Sequence, residues 1–341
     1  FFGEYIPENK DQLKFISNFS GSYGFALILK NKNYLFVDGR YTLQARIQSG
    51  KLFDIVTIPN RFPSDILKKK SLKIGFDPKL YTQKTLKMFF NKTNCKPVSI
   101  NQNLIDKLWI KKENSNLKKF YILPAQSVGQ NYKLKINKLI DILNKKRIDF
   151  QFISASENIA WLLNIRGQDS KFTPIPNAYL TLDSSKKINL FCDLKKVKHS
   201  FQKKFKNIKF IDIKYTDLFL SKIKNKRILI DSSSCSVYFE NILKKSNKVA
   251  EFLDPVYFLK SIKSKIEIKH TIKSHIYDGA ALTKFLFWLK KNYRKQNVNE
   301  IIAQEKLLKF RKKNKNFKFL SFPTISGSGP NGAIIHYKAS E

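Results

Sequence analysis

The chain has 341 residues, 42% of them hydrophobic and 13% aromatic, which is too long for one core and ample for two or three. No apolar run approaches the ~18 residues a membrane span needs, and the opening FFGEYIPENK lacks the basic start and apolar stretch of a secretory signal. The net charge of +39 invites a nucleic-acid reading, but only eight of the 65 basic residues are arginines, the side chain best suited to phosphate and base contacts. The lysines are spread through every predicted element beside abundant asparagine, a compositional bias without the clustering of a specific nucleic-acid interface. Cys95, Cys192 and Cys235 are far apart and form no CxxC pair, which reads as isolated side chains in a reducing compartment.

From Phe1 to Ile122 strands alternate with helices. SYGFALIL and NYLFVDG are short apolar runs around the polar turn Lys30–Asn33, a hairpin pattern. TLQARIQ reads as a helix, DIVTI as a strand, PSDILKKKS as a helix, LKIGFD as a strand and TQKTLKMFFNKT as a helix. Residues 123–130, with Pro124 and Gly129, read as a linker. The pattern then restarts with a helix over 133–146, strand FQFIS, helix ENIAWLLN, and strands AYLTL and INLFCD around a turn. Phe15, Asn18 and Gly21 match Trp161, Asn164 and Gly167 at one offset, and the strand ending in Asp38 matches the one ending in Asp193. Two homologous α/β domains in tandem are therefore expected, over 1–122 and 123–255. From 256 onward the texture is helical. Ala281, Phe285, Trp288 and Leu289 share one helix face, and Ile301, Ile302, Leu307, Leu308 and Phe310 follow in a second helix.

The tail SFPTISGSGPNGAIIHY contains Gly327, Gly329, Pro330 and Gly332, two consecutive turn signals. Ala333 to Ile335 reads as a buried strand delivering His336 at its end. A histidine so placed is either a proton-transfer or substrate-orienting group, or a core side chain capped by the backbone. Arg40, in DGRY, reads on its residues alone as a surface arginine starting a helix. Arg166 and Asp169 read as a structural ion pair worth under about 1 kcal/mol if exposed. His199, His270 and His275 carry no ligand spacing; the last two are five residues apart and do not share a helix face.

Four blocks resemble one family in its own order: DQLKFISNFSGSYGFALIL with FVDGRYTLQA, ENIAWLLNIRGQDSKFTPIPNAYL, LKSIKSKIEIKHTIKSHIYDGAALTKFLFWL, and the tail. They are similar to the Xaa-Pro aminopeptidases of the creatinase, or pita-bread, metallopeptidase superfamily. The resemblance implies two creatinase N-terminal-like α/β domains followed by the beginning of a pita-bread catalytic domain over 256–341. It implies a cytoplasmic, homodimeric enzyme that removes the N-terminal residue from peptides with proline second. It assigns substrate binding to Arg40 and His336, with His336 also the catalytic group stabilising the substrate carbonyl or tetrahedral intermediate. The family uses two divalent ions, usually manganese, on two aspartates, a histidine and two glutamates downstream of the HY motif. The expectation is thus a chain cut off before its metal ligands, with no metal residue assigned here, no bound metal and no activity of its own. The alternative is a non-catalytic creatinase-like module that uses the fold to bind peptides or histones.

Overall fold

The computed structural model describes residues 6–110, 118–295 and 297–340. The chain divides into two units, one of Ser17–Ile58 with Lys263–Glu341, the other of Phe1–Ile16 with Pro59–Ile262.

In the first unit the hairpin forms as expected. Strands β1 (Gly24–Ile28) and β2 (Asn33–Asp38) pair antiparallel, with Gly24 opposite Val37 and Ile28 opposite Asn33. β3 (Asp54–Ile58) adds parallel to β2, so the chain must cross over between them, which the helix Thr42–Ser49 does. Leu35, Phe36 and Val37 are fully buried, and the crossover helix turns Ala45 and Ser49 inward. Ser264 and Glu267 form a reciprocal capping box at the start of the 28-residue helix Lys265–Asn292. Asn299 caps the next helix, Glu300–Arg311, through Ile302 N at 2.9 Å. The two helices are tied by a two-pronged Arg311–Asp278 ion pair, 2.6 and 3.0 Å, and by the Lys306 ammonium over the Trp288 ring. Ala281 is buried, with Phe285, Trp288 and Leu289 half-buried beside it, as the spacing predicts.

The second unit contains β4 (Lys73–Phe76) and β5 (Lys96–Ser99), a parallel pair, and the short antiparallel pair of β6 (Tyr121–Ile122) and β8 (Ile165–Arg166). Its main sheet comprises β7 (Phe150–Ile153), β9 (Ala178–Asp183), β10 (Ile188–Cys192), β11 (Ile208–Asp212), β12 (Arg227–Ile230) and β13 (Lys248–Glu251), in the order β11-β10-β9-β7-β12-β13. β9 runs antiparallel to both neighbours and the other pairings are parallel. Both faces are covered, so β7 and β10 are buried at every residue, the polar Gln151 and Asn189 included. Leu180, Leu182, Leu190 and Leu229 pack on one face with Leu139 and Leu143 of the helix Tyr132–Lys145; Phe150, Phe152, Ile228 and Ile230 pack on the other with Leu243.

The repeat expected from the sequence is visible in detail. β9-β10-β11 reproduces β1-β2-β3, an antiparallel hairpin followed by a parallel strand, and the β12-β13 pair reproduces β4-β5. The matched asparagines Asn18 and Asn164 both sit in the left-handed region, at φ 60° and 56°, a conformation in which asparagine is enriched. The matched glycines are both crowded: a Cβ at Gly21 would meet the Phe19 ring at 2.2 Å, and one at Gly167 would meet Pro176 Cα at 2.7 Å. Asp38 and Asp193 each cap the 3-10 turn that follows their strand.

Two local expectations are corrected. Ala333 to Ile335 is not a buried strand: Gly329–Ala333 is a 3-10 turn and Ile335 is exposed. A strand needs a ladder partner, and among the described residues none pairs with this run. Nor do Arg166 and Asp169 pair. Arg166 donates to the carbonyls of Ala160 and Ile165, both at 2.8 Å, while Asp169 accepts from Lys196 and from Asn177 N. Arg166 turns back to carbonyls of the preceding helix Ser156–Leu162 and of its own strand, leaving the buried Asp169 carboxylate to the partly buried Lys196.

Candidate functional site

Asp38 ends β2 at the point where the chain must turn into the crossover helix. Its carboxylate accepts from Arg40 N at 3.0 Å, which caps the turn Gly39–Tyr41 and fixes where the next two side chains go. One of them, Arg40, returns a fork of two bonds to the same carboxylate, Nε to Oδ1 at 3.0 Å and Nη2 to Oδ2 at 2.6 Å. The guanidinium beside Asp38 holds its carboxyl below the usual carboxylate range. Arg40 is nearly half exposed, so the pair contributes less than about 1 kcal/mol to stability; its effect is to hold the fork in one place. The other side chain, Tyr41, points inward and is 1% exposed, edge-on to Phe19 at 5.6 Å.

His336 reaches this turn from the far end of the sequence. The Tyr41 hydroxyl lies 2.5 Å from His336 Nδ1 and 2.7 Å from Ser22 Oγ, and the two rings meet edge to face at 5.4 Å. Tyr41 and His336 are 295 positions apart in the chain. The tail that carries His336 is anchored one residue later. Tyr337 donates to Glu300 Oε2 at 2.7 Å, Asn331 Nδ2 donates to the Tyr337 hydroxyl at 2.9 Å, and Ser328 N donates to Glu300 Oε1 at 2.6 Å. Glu300 opens its helix, where a negative charge is favoured, and the Tyr337 hydroxyl holds its carboxyl below the usual range. The same contact pushes the Tyr337 phenol up. Gly329 takes φ +54° in the turn between these anchors, and His336 itself sits at φ +59°.

The structure thus brings Arg40 and His336 to one end of one unit, joined through Tyr41. It leaves His199, His270 and His275 exposed and apart, with His275 Nδ1 on the Thr271 carbonyl of its own helix. Sequence reasoning did not single out Tyr41, Ser22 or Glu300. Tyr41 stands inside the DGRY motif and Tyr337 inside HY, so the only signal was their place next to a chosen residue. Among the described residues no group of three His, Cys, Asp or Glu side chains is placed to hold a metal ion, so none of them fits the two-ion cofactor of the resembled family. Also among the described residues, no helix is long and apolar enough to cross a membrane.

Comparison with known proteins agrees with this architecture. Residues 5–108 and 111–267 each match the Creatinase/Prolidase N-terminal domain, and residues 269–341 match metallopeptidase family M24. The chain is thus built of two creatinase/prolidase N-terminal domains followed by the start of an M24 metallopeptidase domain. Its likenesses include Xaa-Pro aminopeptidases. It is 33% identical over 365 residues to the probable Xaa-Pro aminopeptidase P of Paracoccidioides lutzii, covering 98% of this chain and 59% of that protein. It is 32% identical over 354 residues to Xaa-Pro aminopeptidase ApepP of Drosophila melanogaster, covering 98% and 57%. The crystal structure of X-prolyl aminopeptidase from Caenorhabditis elegans, described as a cytosolic enzyme with a di-nuclear active site, superposes with a TM-score of 0.90 at 26% identity, over 98% of this chain and 58% of that one. The chain therefore spans less than three fifths of the length of these relatives.

Proposed function

We propose that this chain carries the substrate-holding part of a metal-dependent Xaa-Pro aminopeptidase, which removes the N-terminal residue from peptides with proline in second position. The observation that carries the reading is the meeting of DGRY and HY at Tyr41 and His336. A guanidinium already fixed by Asp38 suits a peptide carbonyl or carboxylate, and an imidazole held at Nδ1 suits an oxygen that gains charge as the peptide bond is attacked. The relatives reported above carry the name Xaa-Pro aminopeptidase, one of them as probable, and the cytosolic, di-nuclear enzyme superposes on nearly the whole chain. The enzyme's cofactor would be two divalent ions, manganese, for which the described residues supply no ligand set. For the same reason the 341-residue chain by itself is expected neither to bind manganese tightly nor to cleave peptides.

The test is release of the first residue from Xaa-Pro-Yaa and Xaa-Ala-Yaa peptides by the protein expressed from its natural reading frame, with manganese supplied. Release from the proline peptide is expected. His336→Ala should lower kcat by ~10²–10³-fold, because loss of a donor to a developing oxyanion acts on the transition state. Arg40→Ala should act chiefly on KM, because holding a peptide end serves ground and transition states alike. Peptide binding without cleavage would overturn the enzymatic reading and favour a creatinase-like binding module.

A further inference from the structure

We propose that Tyr41 is the positioning residue for His336: its hydroxyl donates to Nδ1, selects the Nε2-protonated tautomer and leaves that N–H aimed outward as the donor to substrate. The inference rests on the proposed aminopeptidase reading for its functional consequence, but its geometry does not.

The Tyr41 ring is buried and held edge-on by Phe19, so its hydroxyl has little freedom to move. That hydroxyl has one proton and two neighbours within hydrogen-bond distance, Ser22 Oγ and His336 Nδ1. It therefore donates to one and accepts from the other. A phenol is a stronger acid than a neutral imidazole N–H, so the tyrosine is the better donor towards nitrogen. Ser22, whose hydroxyl can rotate, then donates to the tyrosine oxygen, giving a relay from Ser22 to Tyr41 to His336. In a neutral imidazole one nitrogen accepts and the other donates, so a proton received at Nδ1 places the ring proton on Nε2. No bond is made or broken; the relay only chooses where existing protons sit.

The backbone points the same way. His336 adopts φ +59°, a left-handed conformation that is uncommon for a side-chain-bearing residue although histidine is enriched in it. Tyr337 is tied to Glu300 on one side of this residue and the His336 ring is tied to Tyr41. The two anchors together set the imidazole's direction, and the tyrosine is the one that acts on the ring itself.

The experiment is two-bond 1H–15N correlation of the histidine rings in the purified 341-residue chain at a pH where they are neutral. His336→Gln assigns the His336 signals. The expected result is an Nε2-protonated ring in the native chain, moving towards the tautomer mixture of free histidine in Tyr41→Phe and part of the way in Ser22→Ala. Tyr41→Phe keeps the buried ring, and Ser22→Ala leaves the core untouched, so at least one variant reports on a folded chain. An Nδ1-protonated ring in the native chain, or His336 signals unchanged in both variants, would overturn the proposal. In the peptide assay Tyr41→Phe should lower kcat roughly 3–10-fold with KM nearly constant, the size of one hydrogen bond lost from an oriented donor. Spectra as expected with kcat unaltered would leave the relay in place and refute the catalytic reading of His336, which separates the two claims.

Discussion

Lys135 is 2% exposed on the apolar face of the helix Tyr132–Lys145, where a lysine is out of place unless something receives its charge. Its ammonium donates to Asn164 Oδ1 at 2.6 Å and to the Trp161 carbonyl at 2.9 Å, and lies 3.9 Å from the centre of the Trp161 ring. Lys135→Met keeps most of the side-chain volume and removes only the charge and its bonds. Each acceptor left buried without its donor costs about 1–3 kcal/mol, and a desolvated cation–π contact is worth about 2 kcal/mol. Against this, the variant no longer desolvates an ammonium, which returns several kcal/mol on its own. The carbonyl of Trp161 also accepts from Asn164 N, so Asn164 Oδ1 suffers most. About 3–5 kcal/mol is lost and most of it is returned, so the net expectation is a loss of ~1–2 kcal/mol. A chain of two units need not unfold in one step, so the assay should follow Trp161 fluorescence in a Trp109→Phe, Trp288→Phe background during urea titration. Asn164→Gly, which keeps the left-handed turn and removes the acceptor, should couple to Lys135→Met by about 1–2 kcal/mol in a double-mutant cycle. An unchanged or higher midpoint for Lys135→Met would refute the reasoning, since the bonds would then do no more than cancel the burial of the charge.

Gly21→Ala and Gly167→Ala should both destabilise, the first by about 1–3 kcal/mol through displacement of the buried Phe19 ring, the second by more because the clash is with the Pro176 backbone. Thermal melts check this, and equal tolerance of alanine at both would show that the matched glycines reflect descent without a steric need. Cys192 and Cys235 are fully buried; burial pushes the Cys192 thiol up to about 12 and Cys235 higher still. Neither should react with a thiol-specific chromogenic reagent at pH 8 until the chain is unfolded, and rapid labelling of either in the native protein would contradict the burial.

Much of the architecture could be read directly from the residues. The short apolar stretches in NYLFVDG and INLFCD, each following a polar turn, mark the second strands of two hairpins. The repeat was legible because its markers are locally forced: Asn18 and Asn164 take positive φ, and Gly21 and Gly167 have no room for a Cβ. Arg40 and His336 could be chosen only because the motifs around them resemble a family, since nothing in their spacing links them. The tertiary structure decided what touches them. Ala333 to Ile335 has the composition of a strand, but a strand exists only with a partner, and no partner is encoded within the run itself. Tyr41 meets His336 across 295 positions, and Lys135 meets Asn164 across 29, through packing that no local pattern contains. Sequence periodicity fixes which face of an element is buried; which distant polar atoms then satisfy one another depends on how those faces are stacked.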